Sequence, residues 1–517
     1  MTRQLPPMLA ALAALACVPE PAHLPGDVKD VRVVVKLAEL SSAEVNGIGS
    51  FSLTPVHDGA ALAPIPVNWS ASARTLTFLE EPTSLPTTGR LAVRLRAHDV
   101  AGNALAIGGG AGPIDLDALP VGAVAELLVV VGRLEAPTSL GQLARPRARA
   151  TVSATSSGLL VFGGEDQDGL LAAPDFLHLA QGRQCTADAT GEGCVFGEVP
   201  PARAAHVALT LADGFDPSCP YRDAVFLGFG EAIGGAALGD AWLFEPAGLD
   251  GAGAFSAIAT PASPRVAPWA VALRSCDVLV GGGRDGVIVD GVEVFHFGAD
   301  AITHQALPDG IAGAGAAVIA TRNALDEVVV AGGVDGAGVA TDAAYLLSYA
   351  APELSLCGLA DGSCNGAAAA FCGGAEVSVA RIDDGSDLAP ALSLRGCGDP
   401  QVFRSASAPP FAAFVPLAAS GALTAREGAA VLPFGPGRAV VLGGRVAGEP
   451  VAAVEAFTLT SVDDDGATGS FGALAPLATA RTEAALGAMG DGVVVAGGRG
   501  GDDAPSGAVE ILIPSFE

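Results

Sequence analysis

Residues 439–457 read AVVLGGRVAGEPVAAVEAF, and this stretch decides the fold because much of the chain repeats it. A hydrophobic strand runs into a Gly-Gly pair, a polar loop follows, and a second strand ends in an aromatic or aliphatic residue. Similar stretches lie at residues 159–179, 224–244, 277–297, 327–347 and 492–512. A unit of this size cannot bury its hydrophobic faces alone, so we expect neighbouring copies to stack against one another.

The composition supports short strands and limits the partners. Half of the 517 residues are hydrophobic, yet 69 glycines and 36 prolines interrupt the apolar runs. Such interruptions predict many short strands joined by turns, and therefore an all-β fold. The formal net charge is -29, and a field of that sign repels the phosphates of nucleic acids. We therefore expect no nucleic-acid partner.

A second element of the repeat lies upstream of most Gly-Gly strands, where an arginine introduces a strand of small or β-branched residues. These arginines are Arg147, Arg203, Arg265, Arg426 and Arg481. The copy at residues 310–318 has no arginine. The arginine slot, the Gly-Gly pair and the aromatic-ended third strand together resemble the kelch repeat. This resemblance implies a kelch-type β-propeller over residues 133–517.

The number of blades depends on one long interval. The distance along the chain from Gly333 to Gly444 is about twice that from Gly282 to Gly333. A structureless insertion of this length would be unusual. Strand-like runs at residues 375–382, 391–397 and 401–405 fill the interval. We therefore favour seven blades, with six blades and an insertion as the alternative.

The order of the strands predicts how the propeller closes. The last copy ends after its third strand at residues 508–513, whereas residues 134–143 stand where the other copies have the fourth strand of a preceding blade. An open last blade would expose unpaired backbone groups along its edge. We predict that part of residues 134–143 pairs with residues 508–513.

Residues 27–132 follow another pattern, with alternating strands such as VRVVVKL, SFSLTPV and RLAVRLRA. Their number and spacing are typical of a β-sandwich. The TLTF strand at residues 75–78, the strand at residues 91–95 and the Asp-Val-Ala-Gly-Asn turn at residues 99–103 resemble bacterial Ig-like domains. We expect such a domain before the propeller.

The N-terminus resembles a bacterial lipoprotein signal. Arg3 precedes an unbroken apolar run at residues 8–16, and small residues stand before Cys17. The resemblance implies that residues 1–16 are removed and that Cys17 carries the lipid that anchors the protein to a membrane. An ordinary secretory signal cleaved near residue 16 is the alternative. Residues 17–26 would be a tether. Val18, in place of an aspartate after the cysteine, resembles the sorting signal of Gram-negative outer-membrane lipoproteins, and this resemblance implies the outer membrane or the cell surface.

The remaining eight of the nine cysteines suit disulfides in an exported protein. We expect Cys185 to bond Cys194 within one loop, and Cys219 to bond Cys276 if consecutive repeats stack. Three pairings remain open for Cys357, Cys364, Cys372 and Cys397. No histidine accompanies these spacings, so we expect no metal site.

The kelch resemblance also implies site residues. In kelch binding domains the slot arginines can project toward the central channel and pair with carboxylates. The corresponding residues are Arg147, Arg203, Arg265, Arg426 and Arg481, with His206 near Arg203. The alternative is that each arginine hydrogen-bonds backbone carbonyls of the next blade and only holds the ring together.

These features favour a binding protein of the cell envelope that recognises a glycan or peptide bearing acidic groups, without catalysis or a cofactor. A radical copper enzyme would need tyrosine and histidine ligands, but the chain has only 3 tyrosines and its histidines are scattered. A serine hydrolase would need a G-x-S-x-G turn, which the sequence lacks. A mutarotase or epimerase acting on acidic sugars is the alternative function.

Overall fold

The structure is a computed structural model of the chain. It describes residues 22–24, 30–57, 60–70, 75–78, 86, 88–110, 114–117, 124–179, 182–186, 196–211, 221, 223–246, 253–258, 263–273, 276–289, 291–297, 301–305, 315–322, 325–335, 337, 339–341, 343–350, 353–358, 377–382, 390–395, 400–405, 412–421, 423–435, 437–463 and 466–515. These residues form strands with one short helix, which confirms the all-β prediction.

The first part of the chain forms one ten-stranded sheet with a short helix, α1 (Ser42–Gly47). Its strands are β1 (Ala22–Leu24), β2 (Asp30–Leu37), β3 (Ser50–His57), β4 (Ala60–Ala61), β5 (Ile65–Ser70), β6 (Thr75–Phe78), β7 (Arg90–His98), β8 (Ala104–Gly110), β9 (Ile114–Asp115) and β10 (Val124–Arg133). The order is β1-β2-β10-β8-β7-β3-β5-β6, with β4 on β3 and β9 on β7.

Alternation along the strands of this sheet sets its core. In β7, Leu91, Val93 and Leu95 are buried while the residues between them are partly exposed, as expected for a strand with one face on a core. The sheet curls so that its edge strands β1 and β6 come into contact. The expected strands are present, but they form one continuous sheet, so the Ig-like assignment stays a prediction.

The described residues after Arg133 form seven sets of four paired strands, which we call the first to seventh units. The first three are β12 (Thr151–Ala154), β13 (Leu159–Phe162), β14 (Asp175–His178) and β15 (Arg183–Thr186); β16 (Val207–Thr210), β17 (Val225–Gly228), β18 (Ala241–Glu245) and β19 (Ala254–Ala257); and β20 (Trp269–Ala272), β21 (Val278–Gly281), β24 (Val292–His296) and β25 (Ala301–Gln305). A ribbon of β22 (Arg284–Asp285) and β23 (Val287–Ile288) belongs to the third unit.

The fourth to sixth units are β26 (Gly315–Arg322), β27 (Leu325–Ala331), β28 (Ala344–Ala350) and β29 (Glu353–Gly358); β30 (Val377–Arg381), β31 (Ala391–Arg395), β32 (Gln401–Ser405) and β33 (Ala412–Ser420); and β34 (Ala430–Pro433), β35 (Arg438–Leu442), β38 (Val454–Val462) and β39 (Ala467–Ala473). A ribbon of β36 (Arg445–Val446) and β37 (Glu449–Pro450) belongs to the sixth unit. Parallel pairing of β33 with β39 joins the fifth and sixth units into one sheet. Strands β30, β31 and β32 confirm the three runs expected in the long interval.

The seventh unit takes its fourth strand from the start of the repeats. It contains β40 (Ala485–Met489), β41 (Gly492–Ala496), β42 (Ala508–Leu512) and β11 (Thr138–Gln142). β11 pairs antiparallel with β42, from Thr138 opposite Ile511 to Gln142 opposite Ala508, with a bulge between Ser139 and Gly141. The predicted closure is confirmed.

The first strands of the units lie side by side. β12 contacts β16, and the series continues through β20, β26, β30, β34 and β40 back to β12. Each unit therefore has two neighbours, and its hydrophobic faces are buried between them. For example, Phe226 of the second unit lies 5.1 Å, between ring centroids, from Phe295 of the third.

Each unit has two ends. The Gly-Gly end carries the loops between second and third strands, and the hairpin end carries the turns between first and second strands. The N-terminal sheet packs on the hairpin end, where Val130 of β10 shares a core with Met489 and Ile513. Arg94 of β7 also donates two hydrogen bonds, of 2.7 and 2.9 Å, to the carboxylate of Asp491.

Several predictions fall on residues outside the described ranges. Cys17 and the signal segment are among them. Cys185 and Cys276 are each disulfide-bonded, but the expected partners Cys194 and Cys219 are not described, so both pairings stay predictions. Within the described ranges, no helix has the length and apolar character needed to cross a membrane.

Candidate functional site

Each slot arginine forms its hydrogen bonds and its ion pair within its own unit. The Arg481 guanidinium donates to the carbonyl oxygens of Gly497 at 3.2 Å and Ala508 at 2.9 Å, and it pairs with the carboxylate of Glu510. Glu510 also accepts a hydrogen bond of 3.0 Å from the backbone N–H of Ala478. One ion pair therefore ties together the second strand, the third strand and the connection that enters the first strand.

The other slot arginines repeat this arrangement with an acid of the third-strand region. The pairs and their N–O distances are Arg147 with Asp175 at 3.4 Å, Arg203 with Asp240 at 2.6 Å, Arg265 with Glu293 at 3.2 Å, and Arg426 with Glu455. All five arginine side chains are at most 1% exposed. Burial lowers the pKa of the Arg147, Arg265, Arg426 and Arg481 guanidinium groups, and the facing carboxylate acts in the opposite direction.

This geometry resembles the alternative in which each slot arginine hydrogen-bonds backbone carbonyls and only stabilises the fold, with one difference. The carbonyls that Arg147 contacts, those of Gly163 and Ala173, belong to its own unit and not to the next one. A guanidinium group that donates to two carbonyls and pairs with a buried carboxylate has little capacity left for a ligand. More exposed polar residues are therefore better candidates for a ligand site.

His206 is buried near the first strands. Its Nε2 lies 2.8 Å from Thr151 Oγ1, and its ring meets the Phe162 ring edge-on at 5.7 Å between centroids. Burial, and to a smaller extent the charge of Arg203, lowers the pKa of His206 to about 3. The imidazole is therefore neutral at physiological pH, so it cannot add positive charge to a site for an acidic ligand.

The structure brings together a different set of charges at the Gly-Gly end, which we call the rim cluster: Arg149, Glu165, Glu231, Glu483 and Arg499. Arg149 contacts Glu165 at 3.4 Å and Glu231 at 2.6 Å. Arg499 contacts Glu165 at 2.5 Å and Glu483 at 3.0 Å. The side chains are 18 to 39% exposed. They form a continuous network across the seventh, first and second units.

Backbone geometry holds the rim cluster in place. Arg149 and Glu483 stand two residues after their slot arginines and have positive φ values of 55° and 53°. This conformation is unfavourable for residues other than glycine. It is compensated by hydrogen bonds between units, from Arg149 N–H to the Glu483 carbonyl at 3.0 Å and from Ala205 N–H to the Arg149 carbonyl at 3.3 Å.

The Gly-Gly pairs allow the residues that follow them, Glu165 and Arg499, to lie close to the start of the first strand of their units. Gly164 has a φ of +83°, and a Cβ atom there would lie 2.5 Å from the Ala148 carbonyl oxygen. Only glycine allows this approach. Glu165 then forms a bridge with Ala148 in the same unit, and Arg499 forms the equivalent bridge with Thr482.

No protein-family profile matches the chain, and no curated protein matches it. The kelch and Ig-like resemblances therefore depend on the residues and the strand order alone.

A second polar network lies at the hairpin end between the third and fourth units. The Tyr349 hydroxyl donates to Asp277 Oδ2, and His296 Nδ1 lies 3.2 Å from the same oxygen. His296 Nε2 lies 2.8 Å from Thr303 Oγ1. Tyr349 is 1% exposed and Asp277 6%, so this network joins two units inside the protein and is not an open site.

Sequence reasoning missed the rim cluster because it concentrated on the slot arginines. The available signal was the residue directly after the Gly-Gly pairs of the repeats. It is charged in four of the five copies that have such a pair, at Glu165, Arg284, Arg445 and Arg499, and Val334 stands there in the fifth. Among the described residues, no group of three or more histidine, cysteine, aspartate or glutamate side chains could hold a metal ion. The rim cluster offers fixed hydrogen-bond donors and acceptors of both charges, which suits binding.

Proposed function

We propose that the protein is an exported, lipid-anchored binding protein of the cell envelope, in which a seven-bladed kelch-type propeller recognises a glycan or peptide ligand. In this proposal residues 1–16 are a signal peptide, Cys17 is lipidated, residues 17–26 are a tether, residues 27–132 are an Ig-like domain and residues 133–517 are the propeller. The ligand binds at the Gly-Gly end, without catalysis.

The propeller assignment is supported by the contacts among the units. Seven sets of four strands in the described chain have first strands that contact one another in a series returning to β12. β11 completes the seventh unit from the other end of the chain. Radial repetition of small sheets leaves only short edges, which suits the repeat found in the sequence.

Binding at the Gly-Gly end is supported by the rim cluster, the single observation that carries the proposal. Arg149 and Arg499 each contact two glutamates, so their orientation is fixed before a ligand arrives. Preorganised polar groups lose little conformational entropy on binding. Because the slot arginines are occupied within their units, a preference for acidic ligands loses its main support. The mixed charges suit hydroxyl and amide groups of glycans or peptides.

The ligand can be sought with glycan and peptide arrays, and the site tested with Arg149→Ala and Arg499→Ala. Each change should weaken binding by about tenfold, because it removes a charge-assisted hydrogen bond. Arg133→Ala is the matched control, since Arg133 is also a partly exposed arginine, paired with Glu44 at 2.7 Å in the N-terminal sheet. Equal losses in all three variants would refute a site at the rim cluster.

The purified protein can also be tested for the alternative function, a mutarotase or epimerase acting on acidic sugars. A binding protein leaves its ligand unchanged, whereas a mutarotase accelerates anomer exchange of acidic sugars, which NMR detects. The anchor is tested by Cys17→Ala, which should move the protein from the membrane fraction to the soluble fraction. Persistence in the membrane fraction would refute lipidation at Cys17.

A further inference from the structure

The loops after the Gly-Gly pairs carry exposed aliphatic side chains. Ile233 is 77% exposed, Val287 73%, Val339 59% and Val446 39%. Among the described residues after Arg133, no other large hydrophobic side chain is exposed. The four residues belong to the second, third, fourth and sixth units, and all lie at the Gly-Gly end. We call them the aliphatic tips.

The aliphatic tips are held in ordered turns. Val287 pairs with Asp285 across the β22–β23 ribbon. Around Ile233, Ala232 N–H donates to the Ala236 carbonyl at 2.8 Å. Val339 N–H donates to Asp335 Oδ1 at 2.9 Å. Turn formation favours Gly, Asn, Asp, Ser or Pro and does not require an aliphatic residue at the tip. Single exposed hydrophobic residues are ordinary on a protein surface. Here, however, all four that are exposed among the described residues after Arg133 lie at one end of the units, which favours an interaction surface at that end.

The first and seventh units carry exposed acids in the loop that carries an aliphatic tip in the second, third, fourth and sixth units. Asp168 is 90% and Asp503 81% exposed. Their nearest cations are 3.8 Å away at Arg145 and 4.0 Å away at Arg499, and both arginines make closer contacts with other carboxylates. Their charge is therefore only partly neutralised. The Gly-Gly end thus carries both the aliphatic tips and a pair of exposed carboxylates, Asp168 and Asp503, which we call the acidic sector.

At the opposite end, the N-terminal sheet packs against the first and seventh units. Leu128 and Val130 of the N-terminal sheet pack against Met489 and Ile513 at the hairpin end. The aliphatic tips lie at the other end of the units, away from this contact.

We infer that the Gly-Gly end is a docking surface for a protein segment that combines aliphatic side chains with lysine or arginine. The inference rests on the proposed binding function and adds the chemistry of the ligand. The aliphatic tips supply apolar contact, and the acidic sector together with the net charge of -29 supplies the complementary charge. A second copy of this chain would present the same negative charge and be repelled, as would an anionic lipid surface.

The test is selection of displayed random peptides on the full-length protein, followed by calorimetry with the enriched peptides. The enriched sequences should contain aliphatic residues beside lysine or arginine. The double variant Ile233→Ser/Val287→Ser should bind them about tenfold more weakly, because it removes apolar surface that the bound peptide buries. Asp168→Asn/Asp503→Asn should weaken binding most at low salt, where charges are least screened.

Val100→Ser is the matched control, because Val100 is 94% exposed in the N-terminal sheet. All of these positions are on the surface, so the variants should keep the wild-type circular dichroism spectrum. Enrichment of acidic peptides, or an equal loss of affinity with Val100→Ser, would overturn the inference. Self-association that is lost in the Ile233 variant would also overturn it. Binding of glycans alone would overturn the inference and leave the proposed function standing, whereas no binding on any array would count against both.

Discussion

Replacing Arg481 by methionine should destabilise the protein mainly by leaving a charge without its partner. The Glu510 side chain is 5% exposed, and Arg481 is its cationic partner. Breaking a buried ion pair from one side costs about 3–5 kcal/mol. The carbonyls of Gly497 and Ala508 also lose a donor. We therefore expect Arg481→Met to reduce the free energy of unfolding by about 4 kcal/mol.

The decisive comparison is the double variant Arg481→Met/Glu510→Gln. Glutamine keeps an acceptor for the Ala478 N–H, which lies 3.0 Å from Glu510 Oε1, and removes the buried negative charge. The second substitution should therefore restore about 1–3 kcal/mol of the loss, since a buried unpaired charge costs more than a buried amide. Glu510→Gln should therefore stabilise the Arg481→Met variant, although in the wild-type protein it removes the carboxylate that pairs with Arg481.

Urea unfolding followed by circular dichroism gives these differences from the shift in midpoint and the common slope. Arg445→Met is the control, because Arg445 is a partly exposed arginine that contacts Thr482 Oγ1 at 3.2 Å. Its cost should stay within about 0.5 kcal/mol, as for most surface substitutions. A double variant no more stable than Arg481→Met alone would refute the cost assigned to the unpaired Glu510 carboxylate.

Two further predictions concern His206 and the disulfides. The pKa of His206 falls from 6.5 to about 3 on folding, so between these values the folded state binds fewer protons than the unfolded state. The stability that depends on the neutral imidazole is therefore complete above pH 6.5 and is lost as the pH falls toward 3. His206→Gln should therefore show a flatter fall of the urea midpoint between about pH 7 and pH 4, and parallel profiles would contradict this. Peptide mapping without reduction should recover Cys185 bonded to Cys194 and Cys219 bonded to Cys276. A different partner for Cys185 would refute the loop disulfide, and a different partner for Cys276 would remove the expected register between consecutive units.

Much of the fold could be predicted because the repeat combines local signals with a fixed spacing. The Gly-Gly pairs end the second strands, and the missing fourth strand of the last copy required a partner elsewhere, which is Thr138–Gln142. Strand β31, at Ala391–Arg395, also begins where its hydrophobic run predicted. These features depend on period and strand count, which a sequence displays directly.

The role of the slot arginines could not be read from the sequence in the same way. Arg265 finds Glu293 only because the loop between β21 and β24 sets the register of the third strand. The sequence contains an acidic residue at the third strand of these repeats, but it does not show that its side chain faces the slot arginine. Phe229 is a second example, since it stands in the place of the first glycine with a φ of 63°. Its contact with the Phe295 ring, at 6.0 Å between centroids, shows that packing offsets a local preference.

The pairing of β11 with β42 has a consequence for the order in which the protein folds. Ser139 lies opposite Glu510, so two strands from distant parts of the chain form one ladder. During synthesis β42 is made long after β11, and until then the edge of β11 that pairs with β42 has no partner strand. Contacts so far apart in sequence form slowly, because a long loop must be closed first. We therefore expect the seventh unit to be completed last, and until then the unpaired edge of β11 can pair with a wrong partner.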